Sequence, residues 1–516
     1  MAFAIPLAMT SILQQLFNAA DIAVIGQFAG KHAMAAVGCN SPVIALTVNL
    51  FVGVSIGANV IIANFTGQQD ERRIRESVHT AMVLAILCGV FVTCVGQIIA
   101  RPMINLLDTP AVIAPMAVKY LRIYFMGMIF IMLYNFEAAI FRSQGDTGTP
   151  LRCLMISGIL NVILNLFFVI VLKMDVAGVA LATVLSNGVS AGLLFWHLCR
   201  AKSAVRLQKG SFRLEGSILK DILRIGVPSG LQGVVFSISN LVIQSAINSL
   251  GPDVVAGSAA AFNMEVLGYY ILNSFAQAAV TFVGQNYGAG NLPRCRKITR
   301  QALILDEVCA MSVAALLIIF GHRILMLFNP DPAVIHFGYI RATILLSTQA
   351  LNVVNEVLSG AMRGYGISMV PAAVTFIGVC GTRILWVYTV FRHSHTWYTL
   401  MAVYPVSWLI TMVVMIAAYF ISIKKSAFGW RLPATRTTRR CGTSCKFTHK
   451  KEASGENPSD AFCLYSYRMM AIKLIGSSFR LVMACPSPGP VKVISPALTV
   501  VMVPLSLYSA SPERMT

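Results

Sequence analysis

Phe141-Arg142-Ser143-Gln144-Gly145-Asp146-Thr147-Gly148-Thr149-Pro150 lies between two apolar stretches, and its Arg142, Gly145 and Pro150 return at the same intervals as Arg363, Gly366 and Pro371. The echo has company. Ile5-Pro6 opens the chain and Val227-Pro228 its second half; Gly67-Gln68 is answered by Gly284-Gln285, and Pro110-Ala111-Val112-Ile113 recurs letter for letter as Pro332-Ala333-Val334-Ile335. The pairs keep one order along the chain, so duplication explains them better than coincidence. The pieces between them are apolar enough to enter a bilayer, which points to a repeated membrane architecture of the kind found in transporters.

With 57% hydrophobic and 12% charged residues, and a mean hydropathy of +0.73, the chain carries more apolar surface than a soluble core encloses. Stretches near the length of a bilayer crossing fall at 4–26, 33–65, 78–100, 118–141, 151–172, 177–199, 222–248, 254–287, 298–320, 337–361, 370–391 and 399–423. The expected fold class is therefore an all-α polytopic membrane protein of twelve spans, six in each of two lobes. The first stretch has no polar leader and no small-residue cleavage site, so it reads as a span and not as a removed signal peptide. Its abrupt start suggests a missing short basic segment.

A net charge of +20 would suggest a nucleic-acid partner in a soluble protein, but its placement explains it differently. Basic residues crowd the loops after spans two (Arg72, Arg73, Arg75), four (Arg142, Arg152), six (Arg200, Lys202, Arg206, Lys209, Arg213, Lys220) and eight (Arg294, Arg296, Lys297, Arg300). By the positive-inside rule these loops and both termini are cytoplasmic, in a bacterial-type cell membrane and with no role for nucleic acid. An even number of spans per half makes the repeat parallel, with its axis along the membrane normal. The expected domains are an N-lobe at 1–200, a cytoplasmic linker at 201–217, a C-lobe at 218–425, and a basic tail at 426–516 that is disordered or not native to the fold. Within that tail Cys441, Cys445, His449 and Cys463 have only loosely zinc-like spacing, and no metal site is assigned. The remaining cysteines are scattered, mostly inside spans, with no disulfide framework.

The pattern resembles the multidrug and toxic compound extrusion (MATE) transporters over residues 4–425. The resemblance is carried by Ile5-Pro6-Leu7-Ala8 and Asp21-Ile22-Ala23-Val24-Ile25-Gly26, by the 141–150 stretch, and by Leu160-Asn161 and Val176-Ala177-Gly178-Val179-Ala180-Leu181-Ala182-Thr183. Phe282-Val283-Gly284-Gln285-Asn286-Tyr287-Gly288-Ala289 and Met362-Arg363-Gly364-Tyr365-Gly366 extend it into the second half. It implies two six-helix lobes around a central cavity and export of organic cations or drugs against inward protons or sodium. A monomer in contact with membrane lipid, and no organic cofactor, are the companion expectations.

An ionisable group inside a span is costly and usually faces a cavity or a partner. Asp21, with Gln14 and Asn18 behind it on one helix face, fits the family's ion-binding position on span one. Asn161 and Asn165, spaced i and i+4 on span five, and Thr183 on span six complete the expected cation-coupling set. A carboxylate ringed by amides and a hydroxyl can take up a proton or offer oxygens to sodium. Relatives often have an aspartate where Asn165 stands, so the resemblance here favours protons. The other possibility is that Asp21 only caps its helix at the membrane interface.

In the second half Glu265 on span eight and Glu356 on span ten, the latter with Asn352 and Ser359 on its face, are candidates for binding a cationic substrate; a structural hydrogen bond between helices is the alternative. Some relatives use a span-seven glutamate where this chain has Phe236, and a span-ten aspartate where it has Asn352. Asp306 and Glu307 read as ties to a neighbouring helix, and Glu137 as the partner of an arginine. Arg383 needs a partner that the sequence does not name. Tyr269, Tyr270, Trp386 and Tyr388 could stack on a planar cation or simply pack. The glycine pairs Gly53/Gly57, Gly226/Gly230, Gly284/Gly288 and Gly360/Gly364 allow close helix approach. His393 and His395 read as solvated loop residues, and no phosphate-cradling loop or other enzyme signature stands out. Two other functions remain in view: a lipid-linked oligosaccharide flippase of the same fold, for which a more cationic cavity is expected than the mainly acidic intramembrane charges assigned here, and a non-transporting membrane protein such as a receptor.

Overall fold

The computed structural model describes residues 1–106, 109–208, 213–429, 472–475, 478–485 and 501–504. Residues 1–431 form one compact unit. Its first half contains α1 (Ala4–Phe28), α2 (Lys31–Gly38), α3 (Ser41–Gln68), α4 (Glu71–Leu106), α5 (Ala114–Met126), α6 (Met128–Ser143), α7 (Gly148–Leu166) and α8 (Asp175–Arg200). The second half contains α9 (Gly216–Asn248), α10 (Pro252–Gly288), α11 (Leu292–Ile319), α12 (Gly321–Phe328), α13 (Pro332–Ser347), α14 (Gln349–Gly364), α15 (Met369–Thr375), α16 (Thr382–Trp386), α17 (Trp397–Met401) and α18 (Val403–Gly429).

Among the described residues, ten helical segments are long and apolar enough to span a membrane singly, and α5 with α6 makes an eleventh, bent by 47°. The twelfth expected span falls on two shorter helices, α13 and α14, which meet at Thr348; α13 is apolar but short, and α14 carries Asn352, Asn355, Glu356 and Arg363. Side chains such as Ile98, Leu327 and Ile377 are at least 70% exposed, as expected where the surrounding solvent is lipid hydrocarbon and each helix satisfies its own backbone.

The duplication is visible in the backbone. Positive φ angles recur 221 residues apart, at Gly30 and Gly251, Gln69 and Gly290, and Gly145 and Gly366. The Arg142–Pro150 motif and its echo encode one such turn. The amide of Gly145 donates to the Arg142 carbonyl and that of Gly366 to the Arg363 carbonyl; both glycines lie in the left-handed region, with φ of 88° and 79°, which costs them least. Pro150 and Pro371 then fall in the first turn of the next helix, where a missing N–H leaves nothing unsatisfied.

Most of the apolar core is packed within each half, with Ile218 and Ile222 of α9 joining the first half's cluster and Ile56 and Val60 meeting Ile225 and Val280 across the halves. Between the halves α3 lies against α9 and α10, and the expected close approach of the glycine pairs is largely an approach of one half to the other. A Cβ on Gly53 would come within 2.1 Å of the Gly230 nitrogen, on Gly57 within 2.3 Å of the Ile222 carbonyl, and on Gly288 within 2.0 Å of the Asn64 carbonyl. Gly360 instead approaches Ala276 within its own half. The seam runs toward the ends of α3 and α10 that lead into basic loops.

Within 201–217, Val205 and Leu207 are buried in the first half's core, so that stretch is partly anchored. Beyond residue 431 the tail has its own unit, in which β1 (Ile472–Ile475), β2 (Ser478–Cys485) and β3 (Val501–Pro504) pair in that order, β1 antiparallel and β3 parallel to β2. Short runs rich in Ile, Val, Leu and Phe favour strands even where no helical period exists. Cys441, Cys445, His449 and Cys463 lie outside the described residues.

Candidate functional site

Asp21 lies seventeen residues into α1, about 25 Å along it at 1.5 Å per residue, and is 5% exposed. Its two carboxylate oxygens each accept a hydrogen bond: Oδ1 from Asn165 Nδ2 at 2.5 Å and Oδ2 from the Thr183 hydroxyl at 3.2 Å. Asn165 also donates to Asn161 Oδ1 at 3.2 Å, and Asn161 to the Ser186 hydroxyl at 3.4 Å. Three helices, α1, α7 and α8, thus converge on one carboxylate, and the i, i+4 spacing of the asparagines places both on the converging face. The Asn165 Oδ1 atom is buried without a hydrogen-bond partner. The cluster is therefore rich in acceptors, as a site for a proton or small cation should be. Tyr120 and Tyr124, stacked at 6.1 Å, feel the Asp21 charge.

Of the residues expected to couple a cation, Asp21, Asn161, Asn165 and Thr183 come together. Gln14 does not. It is exposed and lies seven residues back on the helix, about 10 Å away along the axis. Its neighbour Gln15 does make a link, accepting from the Tyr270 hydroxyl at 3.1 Å across the two halves. The sequence reading missed Ser186, one turn beyond Thr183, although helical spacing was a signal for it.

The second half separates the other candidates. Glu265 forms a bidentate ion pair with Arg341, 2.8 Å from Nε and 2.9 Å from Nη2, while Nη1 donates to the Ser258 hydroxyl at 2.6 Å. This is the inter-helix tie named as the alternative for Glu265, with a partner the sequence reading did not identify. Glu356 is half-buried and interacts electrostatically with Arg363, Tyr269 and Asp306; Asn352 is buried one turn away. Arg363 donates to Gln232 Oε1 at 2.9 Å and to Ser359 at 3.0 Å.

Arg383 is fully buried. It donates to Asn240 at 2.9 Å and to Ser407 at 3.4 Å, and its guanidinium lies over the rings of Tyr404 and Phe236 at 4.5 and 5.2 Å. The segment α16 that carries it is flanked by π-helical turns at Phe376–Gly381 and Val387–Phe391, a local widening common at functional positions.

The second half also buries three cations that accompany its acids, Arg341, Arg363 and Arg383. Two expectations are corrected by this geometry. Among the described residues Glu137 has no arginine partner: it is fully buried and both its oxygens lack a hydrogen bond, with Arg142 five residues further along α6 and so on another face. Asp306 is no tie between helices, for its two oxygens are likewise without partners. His393 and His395 are exposed, as expected.

Two repeats of membrane-crossing helices meeting along a small-residue seam, with a buried polar cluster in one half, define a multi-pass transporter fold. A model of the MatE family matches the chain twice, at residues 6–167 and 228–389. The chain belongs to that family, the multidrug and toxic compound extrusion transporters. It is 28% identical over 386 residues to a probable multidrug resistance protein, NorM, of Thermotoga maritima, covering 74% of this chain and 82% of the relative. It is 24% identical over 332 residues to an FAD transporter of Shewanella oneidensis, covering 62% and 72%. A solved outward-facing conformation of a multidrug resistance MATE family transporter aligns with a TM-score of 0.77 at 22% identity, over 83% of this chain and 95% of that one.

Proposed function

We propose that this protein is a proton-driven exporter of organic cations or drugs, working by alternating access between its two halves, with its basic loops and both termini on the cytoplasmic side. The observation that carries the reading is the Asp21 cluster, a buried carboxylate whose protonation would remove a charge shared among three helices. Protonation drives a conformational change only by binding one state better than the other, and a site built from α1, α7 and α8 can do so if their packing differs between states. The multidrug resistance names of relatives support the substrate class. Protons are preferred to sodium because Asp21 is the one acid hydrogen-bonded within the cluster.

The test is ethidium efflux from energised vesicles under an imposed proton gradient and then a sodium gradient, with the intact protein and Asp21→Asn. Efflux driven by the proton gradient alone and lost in Asp21→Asn is expected. Sodium-driven efflux would overturn the choice of ion, and absence of efflux from correctly inserted protein would overturn the export reading.

A second reading is favoured by a specific feature: among the described residues Arg383 is buried with no carboxylate partner, and Arg363, bonded to Gln232 and Ser359, accompanies it in the same half. Such a lobe suits a substrate with a negative group, such as a phosphate-bearing lipid. Transport of an anionic fluorescent lipid, in the absence of ethidium efflux, would distinguish it.

A further inference from the structure

The groove between the end of α9 and the π-turn at Val387–Phe391 belongs to neither site described above. It encloses about 580 Å³, within the roughly 300–1,000 Å³ of pockets that take a small ligand. A π-turn is wider than an α-turn, and this one lines the groove with Val387 and Phe391 while α9 supplies Leu241, Val242 and Ala246. Leu241 and Tyr388 on the rim are 61% and 67% exposed, so the groove opens at the outer surface of the helices. Its character changes along its length. Ser249 lies about 12 Å beyond Leu241 at 1.5 Å per residue, and toward that end the lining turns polar, with Arg392 and His395. The His395 ring rests on Phe391 at 4.6 Å, and Phe391 is held in the core with Trp397 and Leu400. Among the described residues Arg392 has no ion pair and no hydrogen bond, and no acidic residue lines the groove.

We propose that this groove binds a phospholipid with an anionic headgroup, one acyl chain lying along the apolar wall and the phosphate meeting Arg392 and His395. Arginines at helix ends commonly reach for the headgroup layer; a concave apolar wall beneath one turns that general attraction into a place for a single molecule. A soluble anion gains nothing from the wall, and a lipid without net charge leaves the cations unanswered. The length also fits, since about 12 Å of helix is close to half of the roughly 30 Å hydrocarbon core, the share of one leaflet. Because α9 starts at the basic linker and the groove lies at its far end, the orientation proposed above puts the lipid in the outer leaflet. Binding itself depends neither on that orientation nor on the export reading.

Native mass spectrometry of the purified full chain, offered equal amounts of phosphatidylglycerol and phosphatidylcholine with identical acyl chains, tests the site. One phosphatidylglycerol held per chain is expected, preferred over phosphatidylcholine by about fivefold, the scale set by one arginine beside an anionic lipid. Arg392→Gln should bring the two lipids to parity. Ser245→Trp, which fills the groove from an exposed position on α9, should weaken retention of both. No preference in the unaltered protein, a preference that survives Arg392→Gln, or retention unchanged by Ser245→Trp would overturn the proposal. Should Ser245→Trp fail to fold, Leu241→Gln, which makes the exposed wall polar, takes its place with the same expected loss. Excess inorganic phosphate should leave the bound lipid in place; displacement by phosphate would assign the basic end to a free anion and overturn the lipid. Ethidium efflux has no part in the readout, so failure of the export reading leaves this result standing.

Discussion

Glu265 and Arg341 show how the cost of a buried charge is met by one partner at one distance. Their bidentate contact is nearly sealed, with the side chains 13% and 6% exposed, so removing either leaves the other uncompensated. Breaking such a pair typically costs about 3–5 kcal/mol, while replacing both members with apolar groups of similar volume is often neutral or better. Arg341→Met is therefore expected to lower the melting temperature of the purified protein by several degrees, and Glu265→Leu combined with Arg341→Met to recover most of the loss. If the double variant melts no higher than the single one, the pair is not acting as a closed charge unit. Asp21 differs in kind. Its partners are a neutral amide and a hydroxyl, so its charge is solvated without being cancelled by a counter-ion.

At the scale of the element, the glycine seam carries a sharper expectation. The atoms a Cβ on Gly53 would strike are the nitrogen and Cα of Gly230, backbone that no rotamer change can move aside. Gly53→Val should leave each half with its own core and still hold the halves apart at the basic-loop end. We expect normal insertion, loss of efflux, and faster labelling of a cysteine placed at Thr281 by a membrane-impermeant maleimide applied from that side. Unchanged labelling would show that α3 and α9 do not govern closure.

The same elements show what the sequence made legible. Spans and repeat followed from apolar length and the offset of recurring motifs, and the Asp21 cluster from the family resemblance together with the i, i+4 spacing of Asn161 and Asn165. The break at Thr348, the short α12 and the π-turns around Arg383 did not, because they arise from packing between helices distant in sequence. Arg341 as the partner of Glu265, and the solitude of Asp306 and Glu137, depend on which helix faces meet. One chain without its fold cannot specify that.

For the whole molecule the question is whether the two halves move as bodies about the seam. Asn59 of α3 and Thr281 of α10 face each other across it, the Asn59 amide donating to the Thr281 hydroxyl at 3.1 Å, and Gln285 donates to the Ser143 carbonyl at 2.7 Å nearby. Small backbones pressed together with a few polar links make a surface that holds by close packing and separates without exposing a large apolar face. A cycle that opens the basic-loop end must part Asn59 from Thr281 on every turnover. Replacing both with cysteine and joining them by a short thiol-cleavable cross-linker should arrest ethidium efflux without affecting the melting temperature, and cleaving the linker should restore it. The single-cysteine variants treated with the same reagent control for modification alone. Efflux that continues through the cross-link would mean that the halves do not part here, and that transport follows movements within one half, such as the α1, α7 and α8 cluster around Asp21.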